Sequence, residues 1–285
     1  MEEIIKILIL SLLFLLIVII IYLYFENNYI KITNIDIVDS KIPSEFKIFT
    51  IVHISDLHNK QFGKNQKNII SKINKISPDI IVITGDLISS YSTNLDIAID
   101  FINNAIKVAP IYYVNGNHES RLPEDYNSLK SQMKSAGVNI LENSYSSISK
   151  ENSKINIIGI NDPSFDALQL YGYTDQQIIS KDLEKLTNNS DEYTILLSHR
   201  PELFDTYCSY NINLVFAGHA HGGQIRLPFI GGVIAPNQGF FPQYTSGLYQ
   251  KGNTNMIVSR GLGNSAFPFR INNRPEIVVV KLSNN

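Results

Sequence analysis

The chain is poor in cysteine: Cys208 is the only one in 285 residues. No intramolecular disulfide can form, which neither requires nor excludes a location outside the cytoplasm. Cys208 follows Leu203, Phe204 and Tyr207 and reads as a core residue, because a reactive or ligating thiol needs partners that the adjoining sequence lacks. An excess of basic charge is also missing. Lysine and arginine total 24 against 26 acidic residues, a formal net charge of −2, and the pI is about 6.3. Polymeric nucleic acid is therefore a disfavoured partner, although a local basic groove stays open. No low-complexity tract, internal repeat or twin-arginine pair is present.

Charge is absent altogether from Ile7 to Phe25, where Ser11 is the only clearly polar residue. At about 1.5 Å rise per residue this run nearly crosses a hydrocarbon core of roughly 30 Å. A cleaved signal peptide is the competing reading, but its apolar region is only about 7–15 residues and ends in small residues. Here the run closes on Tyr22, Tyr24, Phe25 and Glu26, and tyrosines suit a membrane interface. The expectation is an uncut transmembrane anchor over 1–26, a juxtamembrane segment with a leading strand over 27–45, and a catalytic domain over 46–285. Lys6 and Lys31 flank the run on opposite sides, so charge bias does not choose the orientation. The catalytic domain is expected to be extracytoplasmic; the oligomeric state is left open.

With 44% hydrophobic residues the chain can bury a sizeable core. Short apolar runs alternate with helix-period stretches. Strands are expected at Ile30–Val38, Phe46–Ile54, Ile80–Thr84 and Ile111–Val114. Helices are expected over Lys64–Ile76, over Leu95–Ile106, and around Tyr126, Leu129, Met133 and Ala136, the last stopped by Gly137. Five more strands follow at Ile155–Ile160, Tyr193–Leu197, Leu214–Ala217, Met256–Ser259 and Ile277–Leu282, with one helix marked by Ile179, Leu183 and Leu186. The first strand–helix units indicate an α/β fold with parallel pairing, and the later strands a second, more mixed sheet.

All six histidines fall in or beside short polar segments that follow apolar runs. These are Asp56-Leu57-His58 in a stretch beginning at His53, Gly85-Asp86, Gly116-Asn117-His118-Glu119, Ser198-His199 and Gly218-His219-Ala220-His221. Alone, an Asp-x-His or a Gly-Asp is weak, and each segment has a bland alternative as a polar turn or a packed histidine. Jointly they deliver imidazoles, carboxylates and an amide oxygen to one rim of strand ends, where α/β folds bind ligands. That donor set suits divalent cations. Two such ions about 3.5–4 Å apart serve in-line attack on phosphorus. Asp56 and His58, like His219 and His221, are two apart, which lets both side chains reach one ion if the backbone is extended. Asp86 has two oxygens and can bridge. His53 lies inside its strand and is assigned to packing or support rather than ligation.

This order of segments resembles the calcineurin-like metallophosphoesterases over roughly Phe46 to Leu282. The stretch Ile51 to His58 with Phe62-Gly63, the run Gly218 to Tyr244, and Ser259 to Gly263 followed by Pro268-Phe269-Arg270 are similar to the YkuE/YaeI-type bacterial phosphodiesterases. The resemblance implies two mixed β-sheets packed face to face and flanked by helices. It implies that Asp56, His58 and His221 bind one metal ion, that Asn117, His199 and His219 bind the other, and that Asp86 bridges them. His118 would contact the phosphoryl group and protonate the leaving oxygen, with Glu119 as a partner for its imidazole. Mn, Fe or Zn would suit these ligands better than Mg. The expected activity is hydrolysis of a phosphodiester or pyrophosphate in a membrane- or envelope-associated substrate, which includes lipid-linked ones. A phosphomonoesterase or nuclease with the same metals, and a non-catalytic metal-binding scaffold, are the alternatives. The Gly-, Pro- and aromatic-rich stretch from Gly222 to Tyr249 reads either as a loop packed on its own aromatics or as a wall for an apolar leaving group. Arg200, Arg226, Arg260 and Arg270 could meet a second anion or serve structure.

Overall fold

The computed structural model describes residues 1–187, 191–265 and 267–284. In chain order the first elements are α1 (Glu2–Asn28), β1 (Lys31–Val38), β2 (Phe49–Ile54), α2 (Lys67–Ile76), β3 (Ile80–Thr84), α3 (Leu95–Ala105), β4 (Ile111–Val114), α4 (Asn117–Ser120), α5 (Pro123–Ser135) and β5 (Asn139–Ile140). Then come β6 (Ser144–Lys150), β7 (Ser153–Gly159), α6 (Asp175–Leu186), β8 (Thr194–Leu197), α7 (Phe204–Tyr207) and β9 (Leu214–Ala217). Short ladders β10 (Arg226–Leu227), β11 (Gly231–Gly232), β12 (Ile234–Ala235) and β13 (Gly239–Phe240) lead to β14 (Gly247–Lys251), β15 (Thr254–Val258) and β16 (Glu276–Ser283).

Two mixed six-stranded sheets run β1-β16-β2-β3-β4-β5 and β14-β15-β9-β8-β7-β6. In the first, β2, β3 and β4 are mutually parallel, and β16 returns antiparallel to β2. In the second, β7, β8, β9 and β15 are parallel, with β6 and β14 antiparallel at the edges. These central strands are fully buried, which is why they appear as continuous apolar runs rather than alternations. Between the sheets lies a core of Ile51, Val82, Val114, Ile195, Leu197, Phe216 and Val280. Ile69, Phe101 and Leu129 cover the outer face of the first sheet, and Ile179, Leu183 and Phe204 that of the second.

Some boundaries differ from the sequence reading. Phe46 closes a single 3-10 turn, and Ile48 has φ 65, so β2 starts only at Phe49. Phe46 is apolar because it plugs the inter-sheet core, not because it extends a strand. The helix expected from Lys64 is broken at Asn65 and Gln66, both left-handed. There the buried Gln66 amide accepts from Phe62 N–H and donates to Lys60 C=O, fixing the turn. The stretch from 226 to 240 is built of short ladders rather than a plain loop. Cys208 is half-buried against the core of the second sheet's outer face. None of the membrane-length window of the apolar helix α1 is buried.

Candidate metal centre

The chemistry-bearing segments sit at carboxyl ends of parallel strands drawn from both sheets. Asp56 and His58 follow β2, Asp86 follows β3, Asn117 and His118 follow β4, His199 follows β8, and His219 and His221 follow β9. Asp56 through Asp86 come from one sheet, His199 through His221 from the other, so the site exists only because the sheets are stacked. The backbone here is not extended. Asp56, His58, Asp86, His219 and His221 all have φ between 45 and 62. Side chains two apart therefore converge through left-handed turns, a costly conformation for residues other than glycine that is retained where geometry demands it. Close approach also dictates two glycines. A Cβ on Gly116 would lie 2.3 Å from Asp86 Oδ1, and one on Gly218 would lie 1.9 Å from Ser55 Oγ.

Two buried donor groups result: Asp56, His58, Asp86 and His221, and then Asp86, His199 and His219. In the first, His58 Nε2 lies 3.5 Å from Asp86 Oδ2 and 3.2 Å from His221 Nε2, which is 3.5 Å from Asp56 Oδ1. In the second, His199 Nε2 lies 3.3 Å from Asp86 Oδ2, 3.1 Å from His219 Nδ1 and 3.2 Å from Asn117 Oδ1. Metal–ligand bonds of about 2.0–2.2 Å put neighbouring ligand atoms about 3.0–3.5 Å apart, so both groups fit a cation. Asp86 Oδ1 accepts from His118 N–H at 2.9 Å, which leaves Oδ2 turned toward both groups.

Electrostatics favour the same reading. Burial holds the His58 imidazole down to about 3, and pushes His219 and His221 well below the ordinary value. Neutral imidazoles are what metal ligation requires. His199 behaves oppositely: burial opposes its charge, but Asp86 beside it raises the pKa to about 10. A positive charge is thus favoured between Asp86 and the ring. Its Nδ1–H donates to Thr84 C=O at 2.7 Å, which orients Nε2 toward the donor group. Burial, with Asp86 nearby, raises Asp56 to about 6. His53 packs between the sheets, edge-on to Phe216, with Nε2 2.8 Å from Thr84 Oγ1, and belongs to neither donor group.

His118 stands apart from the donor groups, 4.0 Å from Asp86 Oδ2 through Nε2. Its Nδ1 accepts from Ser90 N–H at 2.9 Å, so the neutral ring carries its proton on Nε2. Burial lowers its pKa. It lines a cavity of about 640 Å³ together with Asn117, His219, His221, Arg121 and Tyr91. Glu119 is not its partner, contrary to what the family resemblance implied. Glu119 Oε2 accepts from the N–H groups of Asp86 and Gly116, both at 2.9 Å, and Oε1 accepts from Ile88 N–H at 3.3 Å. It braces the Asp86 loop against the Asn117 turn, and burial raises its pKa to about 8. The Ser90 and Glu119 roles carry no sequence signal, since a Ser-rich loop and a carboxylate after histidine are both commonplace.

The four arginines are committed to the protein. Arg200 Nε and Nη2 donate to Asp162 at 2.5 and 2.9 Å, and Arg226 donates to Gly222 C=O at 2.8 Å. Arg260 lies 3.5 Å from Glu276, and the fully buried Arg270 donates to the carbonyls of Arg260, Gly263 and Asn273.

Residues 49–223 match the family model for calcineurin-like phosphoesterases, a span that contains every donor named above and His118. The chain is a calcineurin-like phosphoesterase. It is 34% identical over 266 residues to the metallophosphoesterase YkuE of Bacillus subtilis, covering 91% of this chain and 87% of that one. It is 27% identical to the phosphodiesterase YaeI of Escherichia coli, over 82% of each chain. A transmembrane protein with metallophosphoesterase domain from Danio rerio is 28% identical over 88% of this chain and 57% of its own length. Calcineurin-like phosphoesterases use two divalent metals, and the buried Asp and His cluster of this one could bind them.

Proposed function

We propose that this calcineurin-like phosphoesterase is membrane-anchored and hydrolyses a phosphodiester or pyrophosphate bond in a membrane- or envelope-associated substrate. The catalytic unit, 46–285, stands on the extracytoplasmic side of an anchor over 1–26, joined through 27–45. Asp56, His58 and His221 would hold one ion, Asn117, His199 and His219 the other, and Asp86 would serve both. The observation that carries this reading is Asp86 Oδ2, which faces His58, His199 and His118 together.

When bound, two divalent ions supply neutralisation of phosphoryl charge and a nucleophilic water at neutral pH. The chain's residues do the rest. His118 presents Nε2–H to the leaving oxygen. An anionic phosphoryl group in the cavity favours the imidazolium, and Ser90 Oγ, 3.1 Å from Nδ1, is placed to accept the second ring proton. As the P–O bond breaks, the Nε2 proton passes to the leaving oxygen and leaves a neutral ring protonated on Nδ1; release of that proton and uptake of one from solvent at Nε2 restore the starting tautomer. The test compares initial rates of the full chain, in detergent with Mn²⁺, on an activated phosphodiester and the matching monoester. Preference for the diester, lost in Asp86→Ala, is expected. Preference for the monoester would turn the reading to a phosphatase.

A further inference from the structure

The base of α1 is tied to the residues that close the metal site. Tyr22 O–H donates to Asn272 Oδ1 at 2.9 Å and accepts from Asn272 N–H at 3.1 Å. Glu26 accepts from Asn273 N–H at 2.8 Å, and Asn27 Oδ1 accepts from Arg270 N–H at 3.1 Å. The Asn273 amide in turn donates to the carbonyls of His221 and Gln224, at 2.7 and 3.0 Å. One residue therefore separates the helix from a candidate metal ligand. The depth of this attachment matters. The apolar run from Ile7 to Phe25 only nearly crosses a hydrocarbon core of roughly 30 Å. Tyr22 lies inside that run, so whatever holds Tyr22 sits at the membrane boundary.

Residues joined to the segment that grips Tyr22 are unusually apolar and uncovered. Arg226 N–H donates to Ile271 C=O at 3.0 Å, and Asn272 Nδ2 donates to Arg226 C=O at 3.2 Å, which hangs the β10–β11 hairpin on the segment that grips Tyr22. The hairpin tip carries Phe229, wholly exposed, and Ile230. Phe240 follows on the next ladder with Phe241 just past it, while Phe267 and Phe269 lie just before Arg270, and all four are exposed. Aromatic groups of this size in one neighbourhood mark a contact surface. At the end of α1, Lys72 and Arg274 lie 5.4 and 5.5 Å over the ring of the capping Tyr29, an arrangement suited to headgroups. Ile234 and Phe267 from these same segments wall the cavity above His118.

We propose that the 227–241 ladders and the 267–269 segment rest in the bilayer interface beside α1, so that the catalytic cavity opens at the membrane surface and takes the phosphoryl group of a lipid-borne ester. The occupant of the apolar surface is a lipid bilayer, because the surface continues directly from the base of a membrane-length helix. The substrate part of this statement rests on the phosphoesterase reading above; the seating does not.

The full chain is reconstituted, in a Cys208→Ser background, into phosphatidylcholine–phosphatidylglycerol vesicles with brominated acyl chains. An environment-sensitive dye is placed at Phe229→Cys, Phe240→Cys or Phe269→Cys, with Tyr145→Cys on the far sheet edge as reference. Strong quenching at the three phenylalanine positions and little at 145 is expected. Equal quenching at all four positions would overturn the seating. In a second measurement, Phe229→Ser with Phe240→Ser should lower turnover of a vesicle-borne phosphodiester about tenfold relative to turnover of a soluble one. An unchanged ratio would overturn the assignment of a lipid-borne substrate. Failure of the unsubstituted chain to cleave the soluble diester with Mn²⁺ would instead sink the phosphoesterase reading, and quenching would still decide the seating.

Discussion

His118 and Glu119 are adjacent in sequence and do different work. His118 faces the cavity with a proton on Nε2, while Glu119 points inward and accepts three backbone N–H groups. Their substitutions should separate cleanly. In His118→Ala, turnover should fall about 10²–10⁴-fold with metal content unchanged, as expected for loss of a general acid. Metal analysis alongside kcat checks this, and loss of the metals would make His118 a ligand instead. In Glu119→Ala the N–H groups of Asp86, Gly116 and Ile88 lose their acceptor inside the protein, at about 1–3 kcal/mol for each buried group. Metal affinity should weaken about 10–100-fold as the Asp86 loop loosens, with a lower Tm. Titration with Mn²⁺ and thermal unfolding read both, and unchanged affinity would remove Glu119 from any role in placing Asp86. The candidate donor types were legible in the sequence, because imidazoles and carboxylates after apolar runs are conspicuous. The left-handed turns were not: two residues apart suggested an extended backbone, and only the packed sheets show that Asp56, His58, His219 and His221 turn instead.

At the scale of elements, strand ends are what bring the site together, and ties between neighbouring strand ends keep it in place. Asp162, just past β7, pairs with Arg200, just past β8. Burial would raise the Asp162 carboxyl, but the Arg200 guanidinium outweighs it and holds the pKa at about 2. A carboxyl lowered on folding stabilises fully above its unfolded pKa and loses that contribution as pH falls through the folded value. The pair should therefore add about 2 kcal/mol near neutrality, fading between roughly pH 4 and pH 2. Urea unfolding of wild type and Asp162→Asn across that range should show their stability difference shrinking with acid; a constant difference would contradict the assignment. Apolar strands and helix faces were readable from periodicity because they fill the two outer cores and the inter-sheet core. β6, with the sequence Ser-Tyr-Ser-Ser-Ile-Ser-Lys, was not, since an edge strand half open to water has no apolar run to announce it. Phe46 was placed one element too late for the converse reason: it is apolar for the core but lies in a turn.

At the scale of the whole molecule, an uncovered apolar helix, a two-sheet sandwich and a buried donor cluster meet at one edge. The sequence showed the helix and the cluster as separate features. Their junction through Tyr22, Glu26, Asn27 and Asn273 was invisible, because side-chain hydrogen bonds between positions about 250 residues apart leave no local pattern. The central claim is that the cluster holds two divalent ions and that Asp86 serves both. It is tested most directly by counting bound metal in the full chain, purified in detergent, loaded with Mn²⁺ and desalted, beside Asp86→Ala. Two ions per chain, falling to one or none in the variant, is the predicted result. No retained metal in the unsubstituted chain, or an identical count in both proteins, would contradict it.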